Sequence, residues 1–157
     1  MSVAVVEGWV EGPLKQFVDD ARVLLALLLH PSGQVLGQHG FTRAVDVMSA
    51  CALAAGIFAS GGELGRMLED RPFTGLHHAG RHRQIFLGQA ETPRGPYIFL
   101  TVFDSGSSLG LVQLYFEEFR ARLAAATPAA VQLEPVLAVD FESDLNKNLA
   151  MLFGRAS

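Results

Sequence analysis

Several residue groups in this chain have the types and spacing that chemistry uses. Gly106-Ser107-Ser108-Leu109-Gly110 fits G-x-S-x-G, the pattern of a serine nucleophile on a tight strand-to-helix turn. In that fold an acid and then a histidine follow the serine, and all five histidines here fall between positions 30 and 82. The pentapeptide therefore reads as a Ser/Gly turn that caps a helix. His77, His78 and His82 form H-H-x-x-x-H, and histidine is a common zinc ligand. Neighbouring strand residues point to opposite faces, so His77 and His78 do not converge on one ion. With Arg81 and Arg83 they make a basic hairpin end, suited to steering an acidic partner. Cys51 has no adjacent base and reads as a small core residue. No carboxylate pair stands out for acid–base work.

Nucleotide chemistry fares no better. Neither G-x-x-x-x-G-K-[ST] nor G-x-G-x-x-G occurs. Asn146-Lys147-Asn148-Leu149 approaches the guanine-reading N-K-x-D, but Leu149 takes the place of the carboxylate. The expectation is a protein that is not an enzyme, with no catalytic, cofactor-binding or metal-binding residues and no cofactor.

The elements that hold these residues begin with a short amphipathic helix over 11–22, with Leu14, Phe17, Val18 and Ala21 inward and Pro13 near its start. Val23 to Leu29 is almost continuously aliphatic and reads as a strand buried on both faces. Pro31-Ser32-Gly33 turns the chain into a second strand over 34–38. A long helix over 42–68 follows, with Thr42 as N-cap and Gly61-Gly62 as a break or bend. Strands are expected over 73–78, 84–89 and 97–103, joined by short turns at 79–81 and 92–96. Leu109, Val112, Phe116, Phe119 and Leu123 then form the stripe of a helix facing the sheet. A Pro-bounded linker over 127–137 leads to an amphipathic helix over 138–157. Its stripe is Phe141, Leu145, Leu149 and Leu152, and it either packs back on its own sheet or lies on a partner. The fold class is α/β: three layers, with a five-stranded, mainly antiparallel sheet between helices.

The stretch from Ala44 to Gly62 carries one charge, Asp46. Val47, Cys51 and Phe58 lie on one flank at helical spacing, Leu53 and Ile57 on another, and a ridge of Ser49, Ala52, Gly56 and Ala59 runs between. A helix apolar all round must be covered all round. Small residues permit close approach of a second helix. The predicted dimer interface is Val45, Ser49, Ala52, Gly56 and Ala59.

Composition narrows the classes further. The 157 residues suit one domain able to bury a core. Half are apolar, 18% are charged and the net charge is -4, which argues against disorder and against a general nucleic-acid binder. A single cysteine allows no internal disulfide. MSVAVVEG lacks a basic n-region, and the apolar runs at 23–30 and 47–59 fall short of the roughly 20 residues that span a bilayer. A cytoplasmic location without membrane insertion is the expectation.

With LLALLLHPSGQVLGQHG, VDVMSACALAAGIFAS and YIFLTVFDSGSSLGLVQLYFEEF in view, residues 11–125 resemble the Roadblock family. These are the dynein-light-chain-like domains that include the bacterial MglB-type proteins. The resemblance implies the three-layer, profilin-like or longin-like Roadblock fold over residues 1–126. It implies dimers in which the long helices pair and the sheets join edge to edge. It implies a regulator or scaffold for a Ras-like small GTPase. The tail DFESDLNKNLAMLFG resembles the C-terminal extension of MglB-type members, and Phe141, Leu145 and Lys147 are its candidate partner-binding residues. Two other readings are a profilin- or PAS-like small-ligand sensory module, with a cavity beneath the sheet lined by Tyr97 and Phe99, and a small hydrolase using Ser108.

Overall fold

Two strands apolar at every position need cover on both sides, and the sheet places them at its centre. The computed structural model describes residues 8–43 and 46–128. The elements are α1 (Gly8–Ala21), β1 (Leu25–Leu29), β2 (Val35–Gly40), α2 (Val47–Glu69), β3 (Gly75–Ala79), β4 (Gln84–Thr92), β5 (Gly95–Phe103) and α3 (Leu109–Ala126). The strand order is β2-β1-β5-β4-β3, and every pairing is antiparallel. The helix expected over 138–157, with Phe141, Leu145 and Lys147, lies outside the described residues, as do Val45 and most of the linker.

Strand alternation divides the core in two. Tyr97, Phe99 and Phe103 of β5 join Phe17 of α1 and Phe116 and Phe119 of α3 in one cluster. Ile98 and Leu100, one residue out of phase, join Leu25, Leu27 and Leu29 of β1 and Cys51, Ala54 and Ala55 of α2 in the other. Thr101 of β5, in phase with Phe99 and Phe103, is fully buried, and its hydroxyl donates to the Leu25 carbonyl at 2.8 Å, which offsets the cost of burying it.

The long helix differs from expectation at both ends. Asp46, not Thr42, is its N-cap: the carboxylate accepts the Ser49 N–H at 3.2 Å and the Ser49 hydroxyl at 2.8 Å. A carboxylate at this position also faces the positive end of the helix dipole, and these bonds hold the Asp46 pKa below its usual value. Gly61-Gly62 neither breaks nor ends the helix, which runs on to Glu69. The returning chain explains why glycine recurs here. A Cβ at Gly65 would sit 2.5 Å from the Phe73 amide nitrogen and 2.6 Å from the Arg71 carbonyl. Asp70 ends the helix in the left-handed region, its N–H bonded to the Arg66 carbonyl at 3.1 Å.

Other boundaries shift for packing reasons. The first helix starts at Gly8, so Pro13 lies within it. Val10 is wholly buried over Gly37, where a Cβ would come within 2.6 Å of Val10 Cγ1. Strand β4 reaches Thr92, paired with Gly95, which leaves a two-residue turn at Pro93-Arg94. Gly95 adopts φ +113° there, a conformation that favours glycine. Strand β3 begins at Gly75 rather than Phe73 and forms one edge of the sheet.

Candidate interaction surface

Among the described residues, helix α2 alone covers its face of the sheet. It does so with small side chains: Cys51, Ala54, Ala55, Gly62 and Gly65 are its buried residues, with Val47 and Phe58 partly buried beside them. The opposite side is apolar and open to solvent. Of the nine exposed large hydrophobics among the described residues, six stand on this helix: Met48, Leu53, Ile57, Leu64, Met67 and Leu68. Their exposure runs from 38% at Ile57 to 81% at Met67. Grouped apolar exposure is a feature of protein interaction sites in general.

The small ridge lies on that outer side. Ser49, Ala52, Gly56 and Ala59 are all exposed. Gly56 is informative because a Cβ there would meet nothing within 4 Å, whereas at Gly61 it would meet Leu76 Cδ1 at 2.7 Å. Packing within this chain accounts for glycine at 61 but not at 56. Beside the ridge runs a groove of about 580 Å³ between Leu53, Gly56, Ile57 and Leu64 of α2 and Leu76 and His78 of β3. β3 pairs with β4 alone among the described strands, so its outer edge is open. An open edge is a template for another strand.

The chemical candidates are dispersed. Ser108 is the N-cap of α3, its hydroxyl accepting the Leu111 N–H at 3.2 Å. The neighbouring Ser107 hydroxyl donates to the Ala21 carbonyl at 2.5 Å, tying this turn to the end of α1. His77 stacks on Phe103, with ring centroids 6.2 Å apart, and shares a 2.7 Å hydrogen bond with Gln84 Oε1. His78 faces the groove on the other side of the sheet. Among the described residues no three His, Cys, Asp or Glu side chains are grouped to hold a metal. Cys51 is fully buried, and burial pushes its thiol up to about 11, away from the thiolate that a nucleophile requires.

Around Tyr97 and Phe99 the space is filled. Phe99 is wholly buried, with ring centroids 4.7 Å from Phe17 and 4.7 Å from Phe119. Tyr97 packs against Trp9 at 6.1 Å. A shallow hollow of about 500 Å³ lies elsewhere on this face, between α3 and the β3–β4 hairpin. Its cation, Arg120, is already paired with Glu117 at 3.1 Å and lies over Phe116.

Periodicity in the sequence locates the ridge within 44–62, and the structure adds Leu64, Met67 and Leu68, past the glycines, to the exposed apolar side chains of the helix. Their signal was the i, i+3, i+4 continuation past the glycines. The groove lining from β3 required tertiary structure. The uninterrupted helix is also long and apolar enough, by length and composition, to cross a membrane. Its inner stripe, however, is part of the core against the sheet.

An antiparallel five-stranded sheet with two helices on one face and one long helix on the other defines a Roadblock/MglB-type domain by fold. The chain is similar to Myxococcus xanthus MglB, with 23% identity and a TM-score of 0.69 over 75% of this chain and 94% of that one. It is similar to an MglB with tetrameric arrangement, with 21% identity and a TM-score of 0.68 over 80% and 92%. It is similar also to the Roadblock/LC7 domain from Streptomyces avermitilis, with 16% identity and a TM-score of 0.60 over 85% and 98%. At these identities the likeness establishes the fold. No protein-family model and no curated protein matches the sequence.

Proposed function

We propose that this protein is a non-enzymatic, homodimeric adaptor that binds a Ras-like small GTPase and modulates its nucleotide cycle or location. The observation that carries the dimer is the outer side of α2. It combines exposed Leu53, Ile57 and Leu64 with a glycine, Gly56, that this chain's own packing does not need. A second copy of the same helix fits such a surface, because small residues let two helices approach closely. The open β3 edge borders the same groove and extends the interface. The tetrameric arrangement of a similar MglB agrees with self-association. The dimer residues are Val45, Ser49, Ala52, Gly56 and Ala59.

The GTPase rests on the Roadblock resemblance of residues 11–125 and of the tail. In this reading residues 1–126 form the domain, 127–137 link it to the helix of 138–157, and Phe141, Leu145 and Lys147 of that helix touch the GTPase in the cytoplasm. A partner shifts a switch only by binding one state better than the other. No cofactor takes part.

Two measurements test this. Ala52→Glu places a charge in the interface, where an unpaired charge is costly to bury. Light scattering should show a dimer for the wild type and a single copy for the variant, with unchanged circular dichroism because Ala52 is exposed. A dimer that survives the substitution removes the interface. Pulldown against the host's small GTPases, loaded with GDP or a GTP analogue, should capture one in a state-dependent way. No capture, or equal capture of both states, removes the GTPase role.

A further inference from the structure

The groove beside α2 is lined by Ala52, Leu53, Gly56, Ile57, Ser60 and Gly61, with Leu64, Leu76 and His78 completing it. His78 is the one titratable group in this lining. It is exposed in a single copy. We propose that His78 makes self-association pH-sensitive: a second copy seated on the groove is held when His78 is neutral and released when it is protonated. This rests on the α2 interface proposed above.

The neighbours of His78 make the sign definite. From α2 no charged side chain lines the groove; Glu63 and Arg66 are exposed and paired with each other. From β4 the residue across the ladder is Ile85, followed by Gln84 and Arg83. Within β3, His77 lies on the other face against Phe103. At the hairpin tip stand Arg81, His82 and Arg83, all basic and exposed. The one carboxylate among these neighbours, Glu63, is paired with Arg66 and lies outside the groove lining, so no carboxylate among the described lining residues faces His78. Closing the groove over a charged His78 would bury that charge unpaired, which is strongly disfavoured. Closing it over the neutral ring costs far less. Association therefore expels a proton from each copy, and acid drives the copies apart.

The rest of the chain pushes the other way. Its net charge is -4 at pH 7, so mild acidification reduces overall repulsion between copies and would tighten a generic contact. Weakening on acidification thus separates the His78 effect from bulk charge. Histidine ordinarily changes charge near neutrality. With one His78 from each copy, the dimer Kd should rise on the order of tenfold from about pH 8 to about pH 6.

The test is sedimentation equilibrium of the full chain in a dilution series at those two pH values, with circular dichroism checking that the fold is unchanged. The wild-type Kd should rise at the lower pH. His78→Gln should dimerise with nearly the same Kd at both, and His77→Gln should retain the wild-type dependence. A wild-type dimer that is unaffected or tightened by acid overturns the His78 role and leaves the dimer standing. So does a His78→Gln variant that keeps the full dependence. A wild type that stays a single copy at both pH values overturns the interface and, with it, this inference.

Discussion

The two faces of the sheet are built on opposite plans. One is covered by α1 and α3 and filled with interlocking rings: Phe17, Phe86, Phe99, Phe116 and Phe119 lie within 4.7 to 6.3 Å of one another in successive pairs. The other is covered, among the described residues, by α2 alone, through Cys51, Ala54 and Ala55, while that helix turns Leu53, Leu64 and Met67 outward. The first face hides its aromatic rings within this chain. The second spends small residues inside and leaves its large ones outside. Where side-chain volume is placed thus separates a face closed within this chain from a face left open to solvent.

The largest effect expected on this contrast is Phe99→Ala. Removing a buried phenylalanine costs about 3–5 kcal/mol, and Phe99 touches Phe17, Phe116 and Phe119. Urea unfolding in the Ala52→Glu background, where association does not intrude, should show that loss. Ile57→Ala, on the outer side, should leave unfolding of the same background within about 0.5 kcal/mol and weaken the wild-type dimer instead. If both substitutions unfold the single copy equally, the two faces are not different in kind. Next comes Gly88→Ala. A Cβ there would sit 2.5 Å from Phe116 Cζ, and overpacking of a tight core costs about 1–3 kcal/mol.

Gly56→Ala inverts the pattern. With nothing within 4 Å of the new Cβ, the helix gains about 0.8–1 kcal/mol of propensity, so the isolated copy should be stabilised. Self-association should weaken, because the methyl group holds the second helix away. A variant stabilised in both respects would place the contact elsewhere on α2.

How much of this was readable beforehand follows from which forces are local. The apolar runs at β1 and β5 announced central strands, since only burial on both faces explains them. The period of Leu109, Val112, Phe116, Phe119 and Leu123 announced α3; the last four are buried and Leu109 is partly buried. The outward ridge of α2 was readable for the same reason. The true ends of α2 were not. Asp46 and Thr42 are both good caps, and Ser49 decides between them by donating twice to Asp46. Gly61 and Gly62 look like breakers locally, yet the return of Leu76 against the helix makes a small residue a packing need at Gly61. The groove could not be read at all, because Leu76 and His78 join α2 only through the order of the sheet.

The smallest effect tests how dry the seam between α2 and the sheet is. Burial raises the Cys51 thiol from 9.0 to about 11. Below pH 9.0 the folded and unfolded chains both hold that proton, and the thiol's contribution to stability is fully present. Between 9.0 and about 11 the unfolded chain releases it while the folded chain keeps it, so stability falls as pH rises through this window. The rest of the chain contributes a pH dependence of its own, so the informative quantity is the difference in slope between wild type and Cys51→Ala, each measured by urea unfolding across that range in the Ala52→Glu background. The wild type should lose stability more steeply, and iodoacetamide should modify Cys51 only as fast as the chain opens. Equal slopes and rapid alkylation would mean that water reaches the inner side of α2. The helix would then be loosely seated, and its outward apolar side chains would be a sign of weak packing rather than of a surface made for a second copy.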